Sequence, residues 1–276
     1  YWIFPKLGVE GAAIGTLIAR FCMLLFIVFY LRLHKKLSIY IKRFIPSKVE
    51  IKRLKKILYL GLPSALHSFF EVAFFISAVW MSGFIGKNSQ AANQIALNLS
   101  SMTYMVALGV GVAAMIRVGN QRGMMNFKKL REVALSTILL IISIDVIFCM
   151  IFLFFNDFLP LLYLDPNNPS SLNDVNQVLE IASKLLIVAG VFQLFDGIQA
   201  VVLGALRGMQ DVNKPAIIIF LSYGVIGFPI SYYLGFYTSL SMVGIWLGLL
   251  SGLFSSSLFL FLRFNYLSRK IIRLND

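Results

Sequence analysis

Glu71 sits in FFEVAFF, residues 69–75, one carboxylate among four phenylalanines, and Asp196 sits in VFQLFDGIQAVVLGALRG, residues 191–208. Away from water an ionised carboxylate is unfavourable unless a cation, a proton or a hydrogen-bond donor compensates it. A pair so placed suits reversible cation binding: a proton, a sodium ion or an organic cation can each neutralise it, and occupancy by one excludes the others. Polar side chains recur around both. Gln193, Asp196 and Gln199 follow at every third residue along one drifting helical face, while Gly197, Gly204 and Gly208 permit close helix approach. In AANQIALNLSSMTYMVALGVG, residues 91–111, Asn93, Gln94, Asn98, Ser101 and Tyr104 form a second polar stripe, with Asn98, Ser101 and Met105 at helical spacing. His67 precedes Glu71 by one helical turn, a spacing that allows a hydrogen bond or a proton relay. Phe70, Phe74 and Phe192, with Met105, offer an adaptable aromatic surface to flat organic cations. Interhelical hydrogen bonding is the plain alternative for each amide and carboxyl, and lipid contact for each aromatic. Their coincidence favours a hydrated pocket.

Such a pocket needs helices to hold it. Of the 276 residues 59% are apolar, 25 are phenylalanine and only 13% are charged, with mean hydropathy +0.82. That is more apolar surface than one soluble core can hide, so the expectation is an all-α membrane protein, a polytopic helical bundle. Runs able to cross roughly 30 Å of hydrocarbon at about 1.5 Å per residue fall at about 11–31, 57–86, 91–116, 132–156, 181–206, 215–236 and 243–265. Glu71 and Asp196 each lie about 15 residues into a span, roughly 20 Å from its end and close to the midplane. Asp145 is also deep, and is expected to pair with a helix that the sequence does not identify; Arg20, in the first span, is available to offset one carboxylate. Pro63 and Pro229 interrupt their spans as kinks or hinges. Cys22 and Cys149 read as small core residues rather than a disulfide pair.

The connections sort by charge. Residues 32–56 carry ten Lys and Arg against Glu50, and Arg117, Arg122, Lys128, Lys129, Arg131, Arg207, Lys214, Arg269, Lys270 and Arg273 fall on the same side of the alternating path. The opposite connections are short or hold Asp157, Asp165 and Asp174, so the tail is expected in the cytoplasm and Tyr1 outside. The formal charge of +13 is thereby explained by a basic face toward anionic lipid, with no nucleic acid as partner. After Pro46, SKVEIKRLKKIL offers Ser47 as N-cap with Glu50 three residues on, and Val49, Leu54 and Ile57 on one stripe, an amphipathic helix along the inner surface. Laying the stretch from Gly11 over that from Gly244 pairs Gly15 with Gly248, Leu17 with Leu250, Phe21 with Phe254 and Phe26 with Phe259. The first span therefore repeats the last, and spans two to seven form one six-helix unit. The first residue is not Met, and YWIFPKLGVEG shows no signal peptide, so the chain reads as part of something longer.

LGLPSALHSFFEVAFF, AANQIALNLSSMTYMVALGVGVAAMIRVGNQRG and FQLFDGIQAVVLGALRGMQDVNKP resemble, in order and spacing, the carboxy-terminal lobe of the multidrug and toxic compound extrusion (MATE) family, NorM-like branch. LGVEGAAIGTLIARF resembles the end of the amino-terminal lobe. The resemblance implies a twelve-helix fold of two six-helix lobes around a central cavity. It implies a secondary antiporter of the bacterial cytoplasmic membrane that exports organic cations or amphipathic compounds against sodium ions or protons, without other cofactors. The implied organisation is 1–31 as the last helix of the amino-terminal lobe, 32–56 as the cytoplasmic linker, 57–265 as the carboxy-terminal lobe and 266–276 as the cytoplasmic tail. Glu71 and Asp196 stand where the family places coupling carboxylates. Some sodium-coupled members carry a tyrosine four residues before the aspartate; Phe192 stands there, which leaves both ions open. An amino-lobe aspartate used by many members would lie on a helix that this chain lacks.

Other classes remain distinguishable. Seven spans with an outside start superficially match a seven-helix receptor, against which the internal repeat argues. No HExxH, GxSxG or histidine-rich cluster suggests an enzyme, and His34 is the only other histidine, so no metal site is expected beyond a sodium ion at Glu71 and Asp196. A lipid-linked oligosaccharide flippase is the nearest rival within transport, but would be expected to line its cavity with more basic residues.

Overall fold

The computed structural model describes residues 8–34, 50–164 and 172–275. Among these there is no strand, and the chain is a succession of long helices: α1 (Gly8–Leu33), α2 (Ile51–Ile85), α3 (Lys87–Gly123), α4 (Phe127–Phe154), α5 (Leu172–Gly208), α6 (Asn213–Phe220), α7 (Phe228–Phe236) and α8 (Ser241–Asn275). A short 3₁₀ turn, Leu159–Leu162, follows α4, and a π-helical turn, Leu221–Gly227, joins α6 to α7. With α6, the π turn and α7 taken as one, seven helices are long and apolar enough to cross a membrane, as the apolar runs predict.

The helices outrun their apolar stretches. Ile51–Lys56, expected to lie along the membrane surface, forms the opening turns of α2, which continues to Ile85 through Pro63. Residues 266–275, expected as a tail, continue α8. Lysine and arginine stems reach outward from a helix end, so the helix need not stop where the hydrocarbon does. Pro46 and Ser47, the proposed start of the surface helix, lie outside the described residues.

The chain divides into two compact units, Tyr1–Lys56 and Ile57–Asp276. The first contains α1, on which Arg20 lies. In the second, α5 is the central helix, packed on α3, α4 and α8, and α8 in turn packs on α7 and the π turn. Small residues set the α3–α5 seam. A Cβ on Gly204 would collide with the Gly111 carbonyl, and one on Gly208 would lie 2.6 Å from the Met115 carbonyl oxygen. The two backbones therefore touch directly, which aligns Tyr104 of α3 beside the polar stretch of α5. The π turn has a local cause in Pro229, which lacks an N–H for the Val225 carbonyl and whose ring excludes that oxygen; a widened turn accommodates the lost bond.

Polar ties close both ends of the bundle. Arg131 of α4 donates to Ser268 and Asn265 of α8 at 2.8 and 2.7 Å, and Arg263 of α8 meets Asp211 at 2.8 Å. At the other end Lys87 and Asn88 of α3 hold Asp174 of α5 at 2.7 and 3.1 Å. Between these ends the core is aromatic: Phe192 lies between the rings of Phe75 and Trp246, and Phe74 stacks on Tyr223 at 4.6 Å.

Candidate cation-binding site

Three helices converge on Glu71. Its Oε1 accepts a hydrogen bond from the Tyr104 hydroxyl of α3 at 3.2 Å, and its Oε2 lies 3.8 Å from His67 Nε2, one turn earlier on α2. His67 Nδ1 is 3.0 Å from a guanidinium nitrogen of Arg207, near the end of α5. A guanidinium only donates, so Nδ1 must accept, and neutral His67 carries its proton on Nε2, facing Glu71. At 3.8 Å that proton makes an electrostatic contact rather than a hydrogen bond. Glu71 is half-buried, whereas His67 and Asp196 are buried.

The histidine expected as a relay is thus held by a cation. Taking up a second proton would require Nδ1 to give up Arg207. The sequence reading placed Arg207 among the basic loops and missed its contact with His67. The available signal was spacing: Arg207 follows Asp196 by three helical turns, which puts both on one face of α5.

The polar stripe of α3 divides between two faces. Asn93 is buried, accepting from the Trp246 indole at 2.9 Å and lying 3.5 Å from the Ser82 hydroxyl. Gln94, Asn98, Ser101 and Met105 are exposed along one face of the helix. Amides within an apolar span are poorly matched to acyl chains, so this face suits water or a protein surface. On α5, Gln199 exchanges two hydrogen bonds with Tyr223, at 2.6 and 2.9 Å, and Phe192 is buried in the aromatic core. Gln193 is buried with neither amide atom hydrogen-bonded, and Asp196 Oδ1 is likewise without a partner. Phe70 and Phe74 line a cavity of about 260 Å³ with Phe220, Tyr223 and Phe228, on the side of the π turn. Asn93, Phe192 and Gln199 therefore sit inside the bundle, apart from the exposed stripe; Glu71 and Tyr104 lie between the two. No three His, Cys, Asp or Glu side chains among the described residues converge as a metal centre.

The MatE family model matches residues 63–233, which includes α2 from Pro63, α3, α4, α5 and most of the broken span. The chain belongs to the MatE family. It is 34% identical over 271 residues to the probable multidrug resistance protein NorM of Agrobacterium fabrum, covering 96% of this chain and 56% of that protein. It is 32% identical to the protein of the same description from Bacillus subtilis, covering 96% of this chain and 57% of the relative. The chain thus spans little more than half the length of these relatives. Its fold is shared with the eukaryotic MATE transporter AtDTX14, at a TM-score of 0.81 and 20% identity, covering 97% of this chain and 59% of that one. The proteins that this MatE chain resembles are transporters and multidrug resistance proteins, not enzymes.

Proposed function

We propose that this MatE chain supplies the carboxy-terminal lobe, with the last helix of the amino-terminal lobe, of an antiporter that exports cationic or amphipathic drugs in exchange for sodium ions or protons. One observation carries the reading. Glu71, half-buried between His67 and Tyr104, lies next to a face on which Gln94, Asn98 and Ser101 are exposed along the first half of an apolar helix. A carboxylate at the inner wall of a hydrated cleft is positioned to exchange one cation for another, and the exposed amides suit the facing wall of a second lobe. The multidrug resistance role of the relatives accords with a broad, partly aromatic substrate surface, to which Phe70, Phe74 and Met105 contribute. The basic ends of α4, α5 and α8 fit the cytoplasmic side of a bacterial inner membrane.

In the exchange, Tyr104 and the Nε2–H of His67 stabilise the ionised Glu71 when no cation is bound, and a sodium ion or proton displaces that weak support. An organic cation then competes for the same charge, so entry of one releases the other. The test is efflux of ethidium from vesicles containing the full-length protein, with sodium and pH gradients imposed separately. Glu71→Gln and Asp196→Asn preserve size and hydrogen bonding but remove the charge; both are expected to abolish gradient-driven efflux while the protein remains folded. If the two act as one coupled unit, the double variant should be little worse than either single variant. Normal efflux by Glu71→Gln under a gradient would reduce this glutamate to a structural role.

A further inference from the structure

Asp145 of α4 is the deepest carboxylate that the exchange just described leaves unused. It is 1% exposed, and its Oδ2 has no hydrogen-bond partner. Gln193 is 3% exposed with both amide atoms unpartnered, and Asp196 is 5% exposed with Oδ1 unpartnered. Native interiors pair about nine in ten or more of such groups, so four orphaned atoms on three neighbouring side chains are an unusual concentration. No ion pair reaches Asp145 or Asp196 among the described residues.

The α4–α5 contact brings these groups to one level. A Cβ on Gly197 would overlap the Asp145 carboxylate, so only glycine at that position lets Asp145 lie against the α5 backbone, one residue from Asp196. Two turns earlier on α5, a Cβ on Gly190 would lie 3.4 Å from the Cys149 carbonyl oxygen and from Phe152 Cβ. The helices are antiparallel here. Gln193 falls between the two contacts, three residues after Gly190 and four before Gly197, and therefore on the strip of α5 turned toward α4.

We propose that Asp145 and Gln193 complete, with Asp196, an oxygen-lined inner subsite for a sodium ion, one step deeper than Glu71. The donor set suits a metal cation: two carboxylates and an amide oxygen are hard oxygen ligands. The charges also balance better with a cation than without one, since two buried carboxylates with no basic neighbour are unfavourable. Glu71, reachable from the exposed face of the lobe, receives the ion; the buried trio retains it after the cleft turns. The inference rests on the reading that Asp196 carries the coupling cation.

The test uses the purified full-length transporter and sodium as its probe. Thermal stability is measured against NaCl, with KCl and choline chloride at matched ionic strength and fixed pH. Wild type is expected to show a sodium-specific rise in melting temperature. Asp145→Asn and Gln193→Leu should raise the half-effective sodium concentration about tenfold or more, the scale on which loss of a metal-site partner acts. Gly197→Ala should do the same by displacing Asp145 with every charge retained. If Asp145→Asn is not monodisperse on gel filtration, the other two variants decide. Unchanged sodium dependence in those variants, or a wild type that responds to pH but not to sodium, overturns the inner subsite. The parent reading fails separately, if Glu71→Gln and Asp196→Asn keep gradient-driven efflux.

Discussion

Arg207 changes what His67 can do. A histidine one turn from a glutamate invites the role of proton carrier, yet the guanidinium at 3.0 Å occupies the nitrogen that a second proton would need. His67 thereby keeps its Nε2 proton turned toward Glu71, and Arg207 acts through it as a positioning residue. Arg207→Gln and His67→Phe should each slow efflux, and the double variant should be no slower than the worse single one, measured as initial ethidium efflux under a fixed gradient. Additive losses would separate the two residues. Tyr104→Phe removes a hydroxyl from a charged acceptor, an interaction worth about 1.5–3 kcal/mol. It should shift the half-saturating concentration of the coupling ion about tenfold or more, leaving expression unaltered. The carboxylates were legible in the sequence because a lone charge in an apolar run has few explanations. Arg207 was not, because a charge at the end of a span usually faces water, and only the tertiary contact reveals that this one turns back.

The helices were legible as spans and less so at their ends. Length and apolarity locate a crossing segment, but Ile51–Lys56 and residues 266–275 show that helical hydrogen bonding persists beyond the apolar runs, into stretches rich in lysine and arginine. The glycines of α5 were readable as sites of close approach, and their partners were not, since partner choice depends on which backbone lies opposite. Gly204 is the sharpest case. Gly204→Ala places a methyl group against the Gly111 carbonyl, and overpacking of this kind costs about 1–3 kcal/mol. Thermal unfolding of the detergent-solubilised protein should show the loss, and Gly204→Val a greater one. Asn93, Gln94 and Asn98 illustrate the limit of periodicity from the other direction. All three looked alike in the sequence, but a helix crowded on one side only sends Asn93 to Trp246 and leaves the others outside.

At the scale of the whole molecule, the exposed stripe predicts where water goes. In full-length protein with Cys22 and Cys149 replaced, Ser101→Cys should react with a membrane-impermeant maleimide, and an organic cation substrate should slow that reaction. Leu139→Cys, on an exposed apolar part of α4, should stay unreactive because lipid covers it. Equal labelling of both positions would remove the case for a hydrated cleft on this side of the lobe. The broken span adds a consequence for length. A π turn is an α-helix that has absorbed one extra residue in a local bulge. Deleting Gly224 should therefore be taken up within Leu221–Gly227 while Ser231 and Gly235 keep their seats against α8. Elsewhere in the span a one-residue deletion would turn every downstream side chain by about 100°. This segment is thus the one stretch of the span where the polypeptide can lose a residue without losing its phase.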